Sequence, residues 1–65
     1  MNEVDSKIIK MYAACNMNGN ETTKRLHYVS YNTVRYHFLK IKKETGLDPT
    51  NFYELVKLVY LVEES

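Results

Sequence analysis

The sequence predicts an all-α domain of four helices, and three observations carry that expectation. Apolar residues recur at helical spacing in four stretches, Gly, Asn, Ser and Pro punctuate the intervals between them, and no stretch sustains the alternation of a half-buried strand. Sixty-five residues make one domain at most, expected to take in positions 1–65. That is close to the lower size limit for a chain that folds on its own core.

The first helix is expected from about Val4 to Met17, because Val4, Ile8, Met11 and Cys15 recur at the spacing that lines one helix face. Gly19 suits the left-handed residue that follows a helix. Asn20 is then placed to cap a second, short helix from Glu21 to about His27 or Tyr28, accepting hydrogen bonds from first-turn amides. A helix of two turns does not form alone in water, so packing through Thr23, Leu26 and His27 is expected to hold it.

Ser30 is the next cap, opening a third helix from about Tyr31 to Glu44 that Gly46 closes. Val34, Phe38 and Ile41 share one face, with His37 at its edge; Asn32, Arg35, Tyr36, Leu39 and Lys43 gather opposite, flanked by Lys40 and Lys42. The fourth helix opens at "LDPTNF", where Asp48 is the expected cap, Pro49 the first helical residue and Leu47 the apolar residue before the cap. From Phe52 to Val62 only Glu54 and Lys57 are polar, which is more apolar surface than one small core absorbs. Phe52, Leu55, Val56 and Val59 form the expected inward face. Fraying is expected at residues 1–3 and 63–65.

Charge is unevenly distributed, although the formal net value is only +1. Between Thr22 and Lys43 stand six Lys or Arg and no Asp or Glu, whereas Glu44 to Ser65 holds five acids against Lys57 alone. The split suggests one region that faces a polyanion and one that faces something else. Enzymatic readings fail on the absence of a nucleophile, base and pocket combination. A single cysteine, Cys15, excludes an internal disulfide and fits a reducing cytoplasm; with only His27 and His37 beside it, no zinc spacing can be assembled. Structural roles are expected for all three, and no metal or cofactor is implied. "MNEVDSKIIKMY" does not read as a signal peptide, and "LVKLVYLV" is far short of the roughly 20 residues of a membrane span. A cytoplasmic protein with no membrane partner is the expectation.

A short helix, a tight connection and a longer basic helix form a helix-turn-helix pattern, here at about residues 20–45. In that pattern the second helix lies in the DNA major groove while the first crosses the backbone. "NGNETTKRLHYVSYNTVRYHFLKIKKETGLD" resembles the carboxy-terminal helix-turn-helix of PucR and CdaR-type bacterial regulators, through Gly19 and Asn20, Arg25 to His27, Asn32 to Tyr36, Ile41, and Thr45 to Asp48. A weaker similarity, through Ser30, Thr33, Val34, His37 and Ile41, is to LuxR or GerE-type domains, which use a fourth helix to dimerise. Both resemblances imply a transcription regulator, bacterial or phage-encoded and nucleoid-associated. Two departures stand out. "HYVSYN" has one residue more than either family usually places there, implying a longer second helix or a looser turn. The family domain also normally ends a longer sensor-bearing protein, so a free-standing small regulator and a piece of a longer one both stay open.

The expected DNA contacts follow from residue chemistry. Asn32, Arg35, Tyr36 and Lys43 would face bases, since Arg grips guanine O6 and N7 and Asn pairs with adenine; the other reading is a solvated helix face, or, for Tyr36, packing beside the core. Lys24, Arg25, Thr33, Lys40 and Lys42 would contact phosphates and set register. Tyr53, Leu58, Tyr60, Leu61 and Val62 would form a homodimer seam, unless the fourth helix lies in a groove that covers them. Rival readings are a protein-interaction module docking on a larger partner through that helix, and an RNA-binding domain whose tyrosines stack on unpaired bases.

Overall fold

The structure, a computed structural model, describes residues 1–28 and 30–64. Among these the chain is all-α, with helices α1 (Glu3–Ala14), α2 (Gly19–Arg25), α3 (Tyr31–Thr45) and α4 (Phe52–Glu64). Helix α1 packs against each of the other three. Their shared core is Ile8, Ile9 and Tyr12 from α1, Val34, Phe38 and Ile41 from α3, and Leu55, Leu58 and Val62 from α4. Tyr12 meets Phe38 edge to face at 4.7 Å between ring centroids, an arrangement favoured by the ring quadrupoles. Burial raises the Tyr12 hydroxyl above its ordinary pKa, with smaller contributions from Tyr31 and Asp48.

The inward face of α1 differs from the expected one. Val4 is exposed and Met11 half-buried, while Asp5, Ile8, Ile9 and Tyr12 turn inward, joined by Cys15 just beyond the helix. The expected stripe followed apolar residues alone and so passed over a buried carboxylate. Asn2 caps this helix, its Oδ1 accepting from the Asp5 amide at 2.8 Å.

Helix α1 stops three residues earlier than expected, and Gly19 is not its left-handed terminator. Asn16 and Met17 take positive φ instead, at 56° and 63°. Asn16 N–H bonds to Ala13 C=O and Met17 N–H to Tyr12 C=O, which together satisfy two orphan carbonyls in a Schellman motif. Asn18, not Asn20, caps α2: its Oδ1 accepts from the Glu21 amide at 2.9 Å. Gly19 therefore opens α2, and its lack of a side chain serves packing, because a Cβ there would overlap the ring of Tyr31.

A second Schellman motif ends α2. His27 takes φ 60° and bonds to Lys24 C=O, while Tyr28 N–H reaches Thr23 C=O. His27 is consequently exposed and does not help hold the helix, contrary to its expected role. Thr23 and Leu26 do pack inward, and the Thr22 and Thr23 hydroxyls donate back to Asn18 and Gly19 carbonyls, so neither buried hydroxyl is left unpaired. The second helix is not lengthened by the extra residue of "HYVSYN"; the connection to α3 runs from Leu26 to Ser30, and Val29 lies outside the described residues.

Ser30 stands at the N-cap of α3 as expected, though its side chain makes no capping bond. "TGLD" then closes the helix and opens the turn that follows. The Thr45 hydroxyl donates to Ile41 C=O and accepts from the Leu47 amide, and Gly46 takes φ 76°, which a side chain would disfavour. Asp48 accepts from the amide and hydroxyl of Thr50, at 2.9 and 2.7 Å. Asp48 thus caps a separate turn containing buried Pro49, and α4 begins only at Phe52, with Asn51 Oδ1 accepting from the Glu54 amide at 3.2 Å.

The inward face of α4 is also rotated from expectation: Phe52 and Val56 are exposed, Val59 is half-buried, and Leu58 and Val62 join Leu55 in the core. Leu58 and Val62 are therefore committed to their own chain and cannot form a dimer seam.

Gly19→Ala should lower stability by about 1 to 3 kcal/mol through overpacking against Tyr31, despite alanine's better helix propensity. Urea denaturation measures the loss. Combining it with Tyr31→Ala, which removes the ring, should recover no less than the propensity gain relative to Tyr31→Ala alone.

Candidate nucleic-acid interface

Fifteen residues give α3 about four turns, and the buried Val34, Phe38 and Ile41 fix which side faces outward. Asn32, Tyr36, Leu39 and Lys43 then recur at spacings of four, three and four, in one line along the solvent side, with Arg35 beside them; all five are exposed. Tyr36 is 64% exposed, which decides against packing beside the core, and its ring makes a T-shaped contact with His37 at 5.5 Å between centroids. The four expected base-facing residues thus share one open surface. Leu39, 67% exposed, lies among them.

The expected phosphate-contacting residues separate into different environments. Lys24 is exposed near the end of α2, and Thr33 is half-buried. Arg25 is exposed and pairs along its helix with Glu21, Nε to Oε1 3.1 Å. Lys42 is exposed with its Nζ 3.8 Å from Asp48 Oδ2. Thr50's hydroxyl, then its amide, and more weakly Lys42 hold the Asp48 carboxyl below its ordinary pKa, so the acid stays ionised beside this lysine. Lys40 is drawn inward, with Nζ 3.2 Å from Asp5 Oδ2.

Asp5 was not among the residues expected to act, and among the described residues it is the one buried side chain that carries a carboxylate. Its side chain is fully buried on α1, with Oδ1 3.0 Å from His37 Nδ1. The other oxygen faces the Lys40 ammonium in an ionic contact that lacks the direction of a hydrogen bond. His37 and Lys40, three residues apart, lie on adjoining turns of α3, so one carboxylate grips that helix at two points. A lone Asp in the first turn of an amphipathic helix looks like an ordinary favourable charge at the positive end of the helix dipole. Its spacing from Ile8, Ile9 and Tyr12 places it on the inward stripe, and only its residue type conceals that it is buried.

Of the residues expected at a dimer seam, Tyr53, Tyr60 and Leu61 are exposed, at 77%, 64% and 49%. Val56 lies between them and is 51% exposed. Val56, Tyr60 and Leu61 also line a shallow depression with Leu47 and Lys57.

The arrangement is a short helix and a longer one joined by a turn, with the longer helix basic outside and apolar inside. A family model for the PucR C-terminal helix-turn-helix domain matches residues 7–62. The chain belongs to that family. The match spans all of α2 and α3, most of α1 and nearly all of α4, so this PucR-type domain includes the apolar last helix as well as the paired helices. Family membership carries a DNA-binding regulatory role, in a family that is not enzymatic. Neither the curated proteins nor the solved structures contain a significant match to the chain. No helix among the described residues is long and apolar enough to cross a membrane.

Asp5→Ala should cost about 1 to 3 kcal/mol, the value of hydrogen bonds to a charged group, since Lys40 can swing toward water while His37 loses its partner. Urea denaturation at neutral pH measures this. A cost below the reproducibility of the measurement would show that the carboxylate contributes nothing to the docking of α1 on α3.

Proposed function

We propose that this domain binds double-stranded DNA sequence-specifically as a transcriptional regulator, with α3 in the major groove. The observation that supports it best is the exposed line of Asn32, Tyr36 and Lys43 with Arg35 beside it, within a stretch of chain from Thr22 to Lys43 that holds no Asp or Glu. Asn and Arg bring the donor and acceptor patterns that match adenine and guanine edges. Lys24, Arg25, Thr33 and Lys42 contact flanking phosphates and set the register of the helix. Lys40 serves instead as Asp5's partner.

The second element of the proposal is a symmetric homodimer through α4, using Tyr53, Val56, Tyr60 and Leu61. Contiguous exposed apolar surface of this kind is unusual on a monomer and marks an interaction site. A two-fold pair would set two recognition helices about 34 Å apart, one turn of DNA. The alternative, docking of α4 on a larger protein with the basic face dispensable, draws on the same apolar residues but leaves the acid-free face of α3 without a purpose. An RNA-binding reading would have tyrosines near the basic residues stacking on unpaired bases, and duplex DNA competing against single-stranded RNA separates it from the present one.

Selection of bound sites from random duplex DNA should enrich a palindromic sequence, and affinity for it should fall steeply with salt. The Arg35→Glu, Lys43→Glu double variant should bind that site more weakly by about a hundredfold or more. Normal binding by this variant to the natural target would favour the protein-docking alternative. Sedimentation at varied concentration should show a dimer that Tyr60→Glu dissociates with the helical signal intact; a wild-type monomer at high micromolar concentration would count against the seam.

A further inference from the structure

Leu39 occupies the one place on α3 where an aliphatic side chain has no structural reason to be. It is 67% exposed, it is absent from the core cluster and its partly buried neighbours, and it follows Tyr36 by three residues and precedes Lys43 by four on the same line. Its other same-face neighbour, Arg35, lies one turn before it. With Tyr31, Arg35, Phe38, Lys42, Asp48 and Thr50 it borders a small open recess of about 180 Å³, leaving its outer side bare. A phosphate offers nothing to such a group. Of the features displayed in the major groove, the thymine C5-methyl is the apolar one.

We infer that Leu39 is a specificity-determining residue that packs on a thymine methyl between the base contacts of Tyr36 and Lys43. The inference rests on the proposed DNA reading and adds to it a base identity at one position of each half-site. Leu39 reads by contact and exclusion of water, while Arg35 and Asn32 read by hydrogen bonds. Because the side chain is solvent-exposed in the free protein, its truncation leaves the fold unaltered, which a thermal melt of Leu39→Ala verifies.

The test replaces each thymine of the selected duplex by uracil in turn, removing only the methyl, and measures the affinity of the wild type and of Leu39→Ala. At one position per half-site the wild type should weaken by about fourfold, the factor that burial of a methyl-sized group is worth. Leu39→Ala should bind the thymine duplex more weakly and no longer distinguish thymine from uracil there. Uracil scanning without effect at every position, or a Leu39→Ala protein that retains the full discrimination, overturns the inference. Either result, with Arg35→Glu, Lys43→Glu still weakening binding as expected, leaves the DNA reading standing. Failure of any duplex to bind overturns both.

Discussion

The rotation at which the basic helix docks is matched to one buried carboxylate. Asp5 lies at zero exposure between α1 and α3 and faces His37 and Lys40 at 3.0 and 3.2 Å. Burying a charge is unfavourable unless partners compensate it, so Asp5 is tolerated only where α3 presents both of these residues to α1. The contact is therefore selective as well as attractive. Apolar side chains such as Val34, Phe38 and Ile41 would accept modest rotation of α3 about its axis. A carboxylate that must reach two particular residues does not accept it, and the same rotation that satisfies Asp5 directs Asn32, Tyr36, Leu39 and Lys43 to solvent.

A second constraint acts at the other end of the pair of helices. Gly19 starts α2 against the ring of Tyr31, the first residue of α3, and no side chain fits between them. The turn itself is held by the His27 and Tyr28 amides bonding back to Lys24 and Thr23. A helix of seven residues has little stability of its own, so its position is dictated by these contacts and by the buried Thr22 and Thr23. The start and the middle of α3 are thus tied differently, the start by close packing and the middle by charge.

These facts explain what could be read from the sequence. Four helices were legible because Val34, Phe38 and Ile41 recur at helical period and because Gly46 and the Asp48 to Asn51 segment interrupt the pattern. The outward face of α3 was legible for the same reason, since a helix with three large inward residues has its other side determined by geometry. Less was legible where residue type and environment disagree. Asp5 is buried and Val4 exposed on one turn of α1, and on α4 so many residues are apolar that composition does not distinguish Leu58, in the core, from Leu61, outside it. Helix ends were misplaced where Asn16 and His27, residues other than glycine, took the left-handed conformation. Asn and His enter that region more readily than most side chains, but their presence alone does not say when they do.

The surplus apolar surface of α4 follows from the size of the domain. A chain of 65 residues has room for one core, filled here by three residues from each of α1, α3 and α4. Phe52, Tyr53, Val56, Tyr60 and Leu61 stay exposed and add nothing to that core, and apolar surface of this extent marks a further use. On the proposed reading, that use answers a weakness of the DNA-binding face. One short helix reaches few bases and phosphates, and salt weakens each phosphate contact. Joining two domains makes the second encounter with DNA intramolecular, so affinity rises without any new residue at the groove. On that reading the apolar helix and the basic helix serve one purpose, and the small size that limits the core is what leaves apolar residues over for a seam.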